Sequence, residues 1–252
     1  MPKPAGSTAA IERTTGQRSP WTVRPTSKPC SPCVRGPLCL PQGLAREALH
    51  GRDGVVNTML HLQRGAPLYV AGAPFGNLYV VRSGSLKTVT SDHRGREQVT
   101  GVHFAGEPVG LHGISTGTHA NSAIALADSS VCIIPYAALT SACSEAAAMQ
   151  ERLRRLLSAQ LNRESSQLMA LGSLAANERV VAFLLDVSER NGQRGDSPVE
   201  FTLDLTRADL GSYLGLTLET VSRCLTALRK QGLIDVQLRM FRILDLEGLR
   251  AL

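Results

Sequence analysis

Thr206-Arg207-Ala208-Asp209-Leu210-Gly211-Ser212-Tyr213-Leu214-Gly215-Leu216-Thr217-Leu218-Glu219-Thr220-Val221-Ser222-Arg223 is the stretch whose reading decides the architecture. Thr206 and Asp209 form a capping box that opens a helix running to about Leu214. Gly215-Leu216 makes a tight turn, and Thr217 caps a second helix that reaches Gln231 and stops at Gly232. Two short helices joined at a glycine predict a helix-turn-helix. On the second helix Val221, Cys224, Leu225 and Leu228 share an inner face, while Glu219, Ser222, Arg223 and Thr226 share the outer one. Arg223 has the reach for guanine O6 and N7, Glu219 accepts from cytosine N4, and Ser222 serves a neighbouring base. Thr217, at the mouth of this helix, joins them as a DNA-contact candidate. Ile234 to Leu244 reads as a hairpin wing, with Arg239 and Arg242 as phosphate contacts. Most polar helix faces are merely solvated. The weight therefore rests on capping box, glycine turn, divided faces and basic wing together.

Upstream, Val199 to Leu205 alternates as a strand, and Ala175 to Glu189 is a helix burying Val180, Val181, Phe183, Leu184 and Val187. Ser144 to Leu171 reads as one long helix without Pro or Gly. Leu153, Leu157, Leu161, Glu164, Leu168 and Leu171 recur along it at spacings of three and four, a narrow seam of coiled-coil type. Such a stripe predicts a homodimer; packing on the chain's own barrel is the competing reading. Glu164 interrupts the seam, and two copies across a twofold axis would repel while ionised. Leu157, Leu161 and Glu164 are therefore the candidate dimer switch.

Between about Leu60 and Tyr136 the texture becomes β. Leu68–Val70, Asn77–Arg82, Ser85–Thr90, Glu97–Phe104, Ala123–Ala127 and Ser130–Pro135 are short β-prone runs, with a hairpin turn at Asp92-His93-Arg94-Gly95. That rhythm predicts a small antiparallel barrel or sandwich. Ahead of it, Pro29-Cys30-Ser31-Pro32-Cys33-Val34-Arg35-Gly36-Pro37-Leu38-Cys39 holds three of the six cysteines, spaced C-x2-C-x5-C. Prolines exclude regular helix or inner strand there, and thiolates this close on a stiff loop suit a soft metal or an iron–sulfur cluster. The fourth ligand would come from Cys132, Cys143 or Cys224; unrelated thiols, a zinc ion or a redox disulfide are the other readings. Residues 1–28 read as a disordered tail, 29–143 as cysteine loop and β-roll, 144–171 as dimerisation helix and 172–252 as a winged helix-turn-helix. Gln42 to Leu49 is a short helix candidate. The fold class is α+β.

A hydrophobic share of 43% and a charged share of 19% place the chain among ordinary soluble globular proteins. The net charge of +6 favours an anionic partner such as DNA. No apolar run is long enough to span a membrane, and Met1 to Pro20 lacks an apolar core for export. A cytoplasmic location follows as an expectation, and a reducing compartment favours a metal or cluster over structural disulfides. No nucleophile–base motif, phosphate loop or carboxylate pair stands out, so an enzyme is not expected. His103, His112 and His119 read as surface or turn residues, Cys224 as a small core residue and Cys143 as a spectator.

The order of cysteine loop, β-roll, long helix and winged helix-turn-helix resembles the cyclic-AMP receptor protein/FNR superfamily, and within it the FNR-like oxygen-sensing transcription regulators. The resemblance covers residues 28–252 and rests on the cysteine loop, Val131-Cys132-Ile133-Ile134-Pro135, and Leu214 to Arg223. It implies a 4Fe–4S cluster on Cys30, Cys33, Cys39 and Cys132. It also implies a Glu219, Ser222, Arg223 recognition triad for a TTGAT-type half-site, Leu218 standing where cyclic-AMP receptors carry an arginine. Promoter DNA and RNA polymerase are the partners implied, with the protein an activator that dimerises without oxygen. Gly106-Glu107 matches the family's nucleotide pocket, but His119-Ala120 stands where its phosphate-binding Arg-Ser/Thr pair belongs, so no cyclic nucleotide is expected. A zinc or disulfide switch on the same fold, or a cluster-bearing redox protein indifferent to DNA, are the alternatives.

Overall fold

The computed structural model describes Trp21–Pro25, Cys39, Val56 and residues 58–252. Its N-terminal half is a β-roll of β1 (Trp21–Pro25), β2 (Thr58–Leu62), β3 (Pro67–Tyr69), β4 (Asn77–Ser83), β5 (Ser85–Ser91), β6 (Glu97–Phe104), β7 (Pro108–Val109), β8 (Ser122–Ala125) and β9 (Ser129–Pro135). One sheet runs β1-β2-β9-β4-β7 and the other β3-β8-β5-β6, with antiparallel pairing throughout. Leu60, Leu68, Tyr79, Val81, Leu86, Ala125 and Val131 fill the space between them. At the predicted hairpin turn the Asp92 carboxylate accepts from the Arg94 and Arg96 amides at 2.8 and 2.9 Å, and Gly95 takes φ 75°.

Strands β4 and β9 are buried on both faces, which is why they read as continuous apolar runs. Val81 and Val131 point between the sheets, while Leu78, Val80, Cys132 and Ile134 point the other way, under helices. After a single turn, α1 (Gly113–Thr116), those helices are α2 (Tyr136–Glu145) and α3 (Ala147–Ser173). The predicted single helix from Ser144 is corrected here. Ala146 is extended (φ −131°, ψ 105°), so Cys143 belongs to α2 and the long helix begins at Ala147. Neither Gly nor Pro marks that break. It follows from folding α2 back onto β9 before α3 departs.

Two further expectations are corrected. Trp21–Pro25, assigned to the disordered tail, is β1, paired residue by residue with β2 from Trp21↔Leu62 to Pro25↔Thr58. Its partner edge is supplied by tertiary structure, so five residues carried no period to find. His103 and His119 are buried rather than superficial, and His112 is half-buried. His119 stacks on the Tyr69 ring, centroids 3.7 Å apart, and His103 lies on β6 opposite Leu86, on the face turned away from Val102 and Phe104 and towards the space between the sheets. The Gln42 to Leu49 helix and the rest of the tail lie outside the described residues.

The C-terminal domain comprises α4 (Ala176–Gln193), β10 (Glu200–Thr202), α5 (Arg207–Leu214), α6 (Leu218–Lys230), β11 (Ile234–Gln237), β12 (Met240–Ile243) and α7 (Leu246–Arg250), its sheet ordered β10-β12-β11. All five predicted inward residues of α4 are buried. This domain docks on the outer face of β5 and β6, where Val89, Val99, Val102 and Phe104 share one apolar cluster with Val180, Leu184 and Leu210. Polar ties reinforce it: Lys87 pairs with Asp209, and the Val99 amide donates to Ser212 Oγ at 2.9 Å. Arg190 of α4 crosses the interface. Its Nε donates to Glu107 Oε1 at 2.8 Å, Nη1 to Asp186 Oδ2 at 2.9 Å and Nη2 to the Val102 carbonyl at 2.7 Å, with Nη2 also on Glu107 Oε2. Its guanidinium lies 4.6 Å from the Phe104 ring centroid.

Burial opposes ionisation of Glu107, but the Arg190 charge and hydrogen bonds outweigh it and hold the carboxyl below its ordinary value. Burial also pushes His103 down to about 4, so it stays neutral at pH 7. Both shifts have the same sign for stability. Below the unfolded value of 6.5 for His103, and then below 4.5 for Glu107, the unfolded chain binds the extra proton and folding weakens. Thermal midpoints should therefore fall as pH drops from 6.5 towards 4, and less steeply in His103→Leu. Glu107→Ala strands a buried guanidinium and should cost about 3–5 kcal/mol in urea unfolding, with much of it recovered in Glu107→Ala/Arg190→Met. A loss below about 1 kcal/mol in the single variant would mean the pair acts like an exposed one.

Candidate nucleic-acid interface and cysteine centre

The capping box forms as the residues dictate: the Asp209 amide donates to Thr206 Oγ1 at 3.0 Å and the Thr206 amide to Asp209 Oδ2 at 3.1 Å. Gly215 takes φ 64°, which lets the chain reverse between α5 and α6. Gly211 is needed as well, because a Cβ there would meet the Leu216 carbonyl at 2.7 Å. That requirement was missed in the sequence, where a glycine inside a helix signals only a weakened helix.

Thr217 caps α6, its hydroxyl accepting from the Thr220 amide at 3.2 Å. Val221, Cys224, Leu225 and Leu228 face the core. Glu219, Arg223 and Thr226 are exposed and Ser222 is half-buried on the opposite side. Arg223 Nη2 donates to Thr220 Oγ1 at 3.2 Å, which holds the guanidinium over the first turn of the helix. Thr220 thus orients the Arg223 side chain, a role its sequence position did not reveal. Backbone N–H bonding and the Thr217 hydroxyl hold the Glu219 carboxyl below its ordinary value, so it is an acceptor at neutral pH. In the wing, Arg242 Nη2 lies 3.1 Å from Glu200 and Arg239 Nη1 3.6 Å from Asp204. Exposed pairs of this kind contribute about 0–1 kcal/mol, so either arginine can exchange its carboxylate for a phosphate.

Cys39 and Cys132 belong to one apolar cluster with Val80, Ile134 and Met149, lined by Leu153, Leu156 and Leu157 of α3. The alternation of β9 aims Cys132 outward into this cluster, opposite Val80 of β4. Arg152 Nε donates to the Cys39 carbonyl at 2.9 Å, a contact between the long helix and the cysteine loop that a lone helical arginine does not announce. Cys143, half-buried, packs against the same cluster, and burial pushes its thiol up. Cys224 is far off in the C-terminal core. Cys30 and Cys33 lie outside the described residues, and among the described ones no three candidate ligands gather. Two soft thiols packed on one apolar cluster nevertheless have the donor chemistry an iron–sulfur centre uses.

Along α3, Leu157 packs on that cluster, but Leu161, Leu168 and Met169 are 64%, 71% and 62% exposed. Glu164 is exposed beside them and accepts from Gln160 Nε2 at 2.8 Å. Among the described residues nothing covers Leu161, Leu168 and Met169. No helix among the described residues is long and apolar enough to cross a membrane.

Residues 178–252 match the model of the Crp-like helix-turn-helix domain, and residues 59–146 that of the cyclic nucleotide-binding domain. The chain is 39% identical over 230 residues to the transcriptional regulatory protein btr of Bordetella pertussis, covering 91% of this chain and 95% of that one. It is 38% identical over 208 residues to the fumarate and nitrate reduction regulatory protein of Escherichia coli, covering 82% and 83%. Among solved structures, FixK2 from Bradyrhizobium japonicum superposes with a TM-score of 0.72 at 29% identity, covering 79% of this chain and 97% of that one.

Proposed function

This chain belongs to the cyclic-AMP receptor protein/FNR family of DNA-binding transcription regulators, which are not enzymes, and from that premise we propose that it is an oxygen-responsive regulator of FNR type. The observation that carries the proposal is the meeting of Cys39 and Cys132 in one apolar cluster against the first turns of α3. Cys30, Cys33, Cys39 and Cys132 would hold a 4Fe–4S cluster, which when bound supplies an oxygen-labile centre at that point. The chain's own residues then transmit its state. Leu153, Leu156 and Leu157 feel any repacking around the two cysteines, and Arg152 ties the Cys39 backbone to α3.

In this reading α3 pairs with its copy through Leu157, Leu161 and Leu168, and Glu164 opposes the pairing as a charge drawn into the seam. A dimer held marginally in this way can be tipped by a small change at the cysteines. Paired subunits set two α6 helices about 34 Å apart, one helical turn of DNA. Thr217, Glu219, Ser222 and Arg223 then face base edges, with Arg242 on phosphate. RNA polymerase as partner, transcriptional activation and a cytoplasmic location complete the proposal. No cyclic nucleotide enters it, because Glu107 is already occupied by Arg190 and by the Phe104 amide at 3.0 Å. One observation favours a second reading: Cys143 sits against the same cluster as Cys39 and Cys132, as a thiol–disulfide switch would need.

Iron and sulfide assays on anaerobically purified protein separate the two readings. About four irons per chain and visible absorption are expected. Serine at Cys30, Cys33, Cys39 or Cys132 should abolish the absorption, and serine at Cys143 or Cys224 should leave it. Retention in Cys132→Ser with loss in Cys143→Ser would transfer the fourth ligand to Cys143. In DNA binding, Arg223→Ala should lose roughly 1–3 kcal/mol at its guanine and relax base choice there, whereas Arg242→Ala should weaken all sequences alike. Equal losses on specific and random duplexes for Arg223→Ala would remove it from base readout. Glu164→Ala should raise the dimer fraction of the aerobic protein in sedimentation velocity; an unchanged balance would put the carboxylate outside the seam.

A further inference from the structure

We infer that Leu238, at the tip of the wing, is a DNA-contacting residue that packs on the sugar edges of the minor groove beside the recognition helix. This rests on the DNA-binding reading above and adds a contact to it. Pairing of Gln237 with Met240 leaves Leu238 and Arg239 as a two-residue hairpin loop. Leu238 takes φ 56°, and among the described residues it is the sole non-glycine with positive φ. A hairpin loop with a positive φ at its first position is ordinarily filled by glycine, because a side chain there crowds the following carbonyl. The side chain gains no compensating burial, since Leu238 is 96% exposed, the most exposed of the large apolar residues described. Strain and exposure both argue against leucine on grounds of folding alone, and their coincidence at a protruding tip is the mark of a contact.

The tip is held in place and aimed. The Arg239 carbonyl accepts from the Leu203 amide at 2.9 Å, and its guanidinium pairs with Asp204, so the loop is fastened to the segment that leads into α5. In a helix-turn-helix this first helix crosses the DNA backbone while the second enters the major groove. The wing tip therefore travels with the elements that straddle the backbone. Cations follow it on the β12 side, Arg239 in the loop and Arg242 further along the strand, both about half exposed, and Met240 beside it is 47% exposed. Leu238 and Met240 with these cations alongside form a narrow apolar ridge that fits a groove about 6 Å wide between two phosphate rows. Leucine side chains serve other proteins as minor-groove wedges.

The test uses the full-length chain, purified anaerobically, with a palindromic TTGAT-type duplex and a random duplex of equal length. Leu238→Gly should keep or raise the thermal midpoint, because glycine relieves the turn. Its Kd for the palindrome should rise roughly five- to tenfold, the scale of partly uncovering one leucine. The salt dependence of binding should stay at the wild-type slope, in contrast to Arg242→Ala, which loses a phosphate contact. Leu238→Met should retain affinity, and hydroxyl-radical protection of the sugars facing the wing should fade only in the glycine variant. A Kd within about twofold of wild type with protection intact would overturn the contact. So would unchanged DNA binding accompanied by impaired transcription with purified polymerase, which would assign the tip to a protein. A wild-type protein that fails to distinguish the palindrome from the random duplex would refute base readout itself, a separate outcome from wild-type-like binding by Leu238→Gly.

Discussion

Arg190 brings a guanidinium from the C-terminal domain into the β-roll, and the relation between the two halves depends on how that charge is satisfied. Glu107, Asp186 and the Val102 carbonyl take its hydrogens, and the Phe104 ring covers its face. A charge this deep tolerates no loose geometry, because any rearrangement leaves it unpaired in an apolar surround. The surrounding Val89, Val99, Val180 and Leu184 contacts supply most of the favourable free energy of docking, being apolar area removed from water. The ion pair contributes orientation. It also takes up the Glu107 carboxylate, which is thereby part of an interdomain joint.

The opposite side of the β-roll is governed by strand alternation. Because β4 and β9 are covered on both faces, each successive residue serves a different cluster: Val131 the space between the sheets, Cys132 the space under α2 and α3. A cysteine at this register enters the cluster on which Cys39 and the leucines of α3 also pack. The β-roll thus stands between a cysteine-bearing face and a face bearing the helix-turn-helix, and α3 runs from the first towards the second, where Gln167 donates to the Tyr213 carbonyl at 3.3 Å. At 27 residues, about 40 Å, it is long enough to connect them.

What could be read from the chain alone was whatever is encoded over a few neighbouring residues. Thr206 with Asp209, Gly215, Thr217 and the two faces of α6 are all local, and each stands where the spacing put it, because capping and helical periodicity involve partners within four positions. The six β-prone runs were legible for the same reason. Features imposed by packing were not. The break at Ala146 has no residue signature, since it is imposed by packing α2 on β9. Trp21–Pro25 becomes a strand only because β2 presents an edge. His103 and His119 were misplaced because histidine's polarity predicts exposure, whereas a neutral ring surrounded by β-roll side chains is stable in the interior.

By itself, then, the sequence determined the order of the modules, the helix-turn-helix with the two faces of α6 and the cationic wing, all set by short-range hydrogen bonding and periodicity. Only the tertiary structure decided which distant residues meet. Glu107 and Arg190 are 83 positions apart, and Arg152 and Cys39 are 113 apart. The hairpin wing is legible over Ile234 to Leu244, but the positive φ and the exposure of Leu238 exist only once β11 and β12 have paired. The physical reason is common to all of them: pairing at long range is selected by burial and strand register across the whole molecule, and no local pattern carries that information.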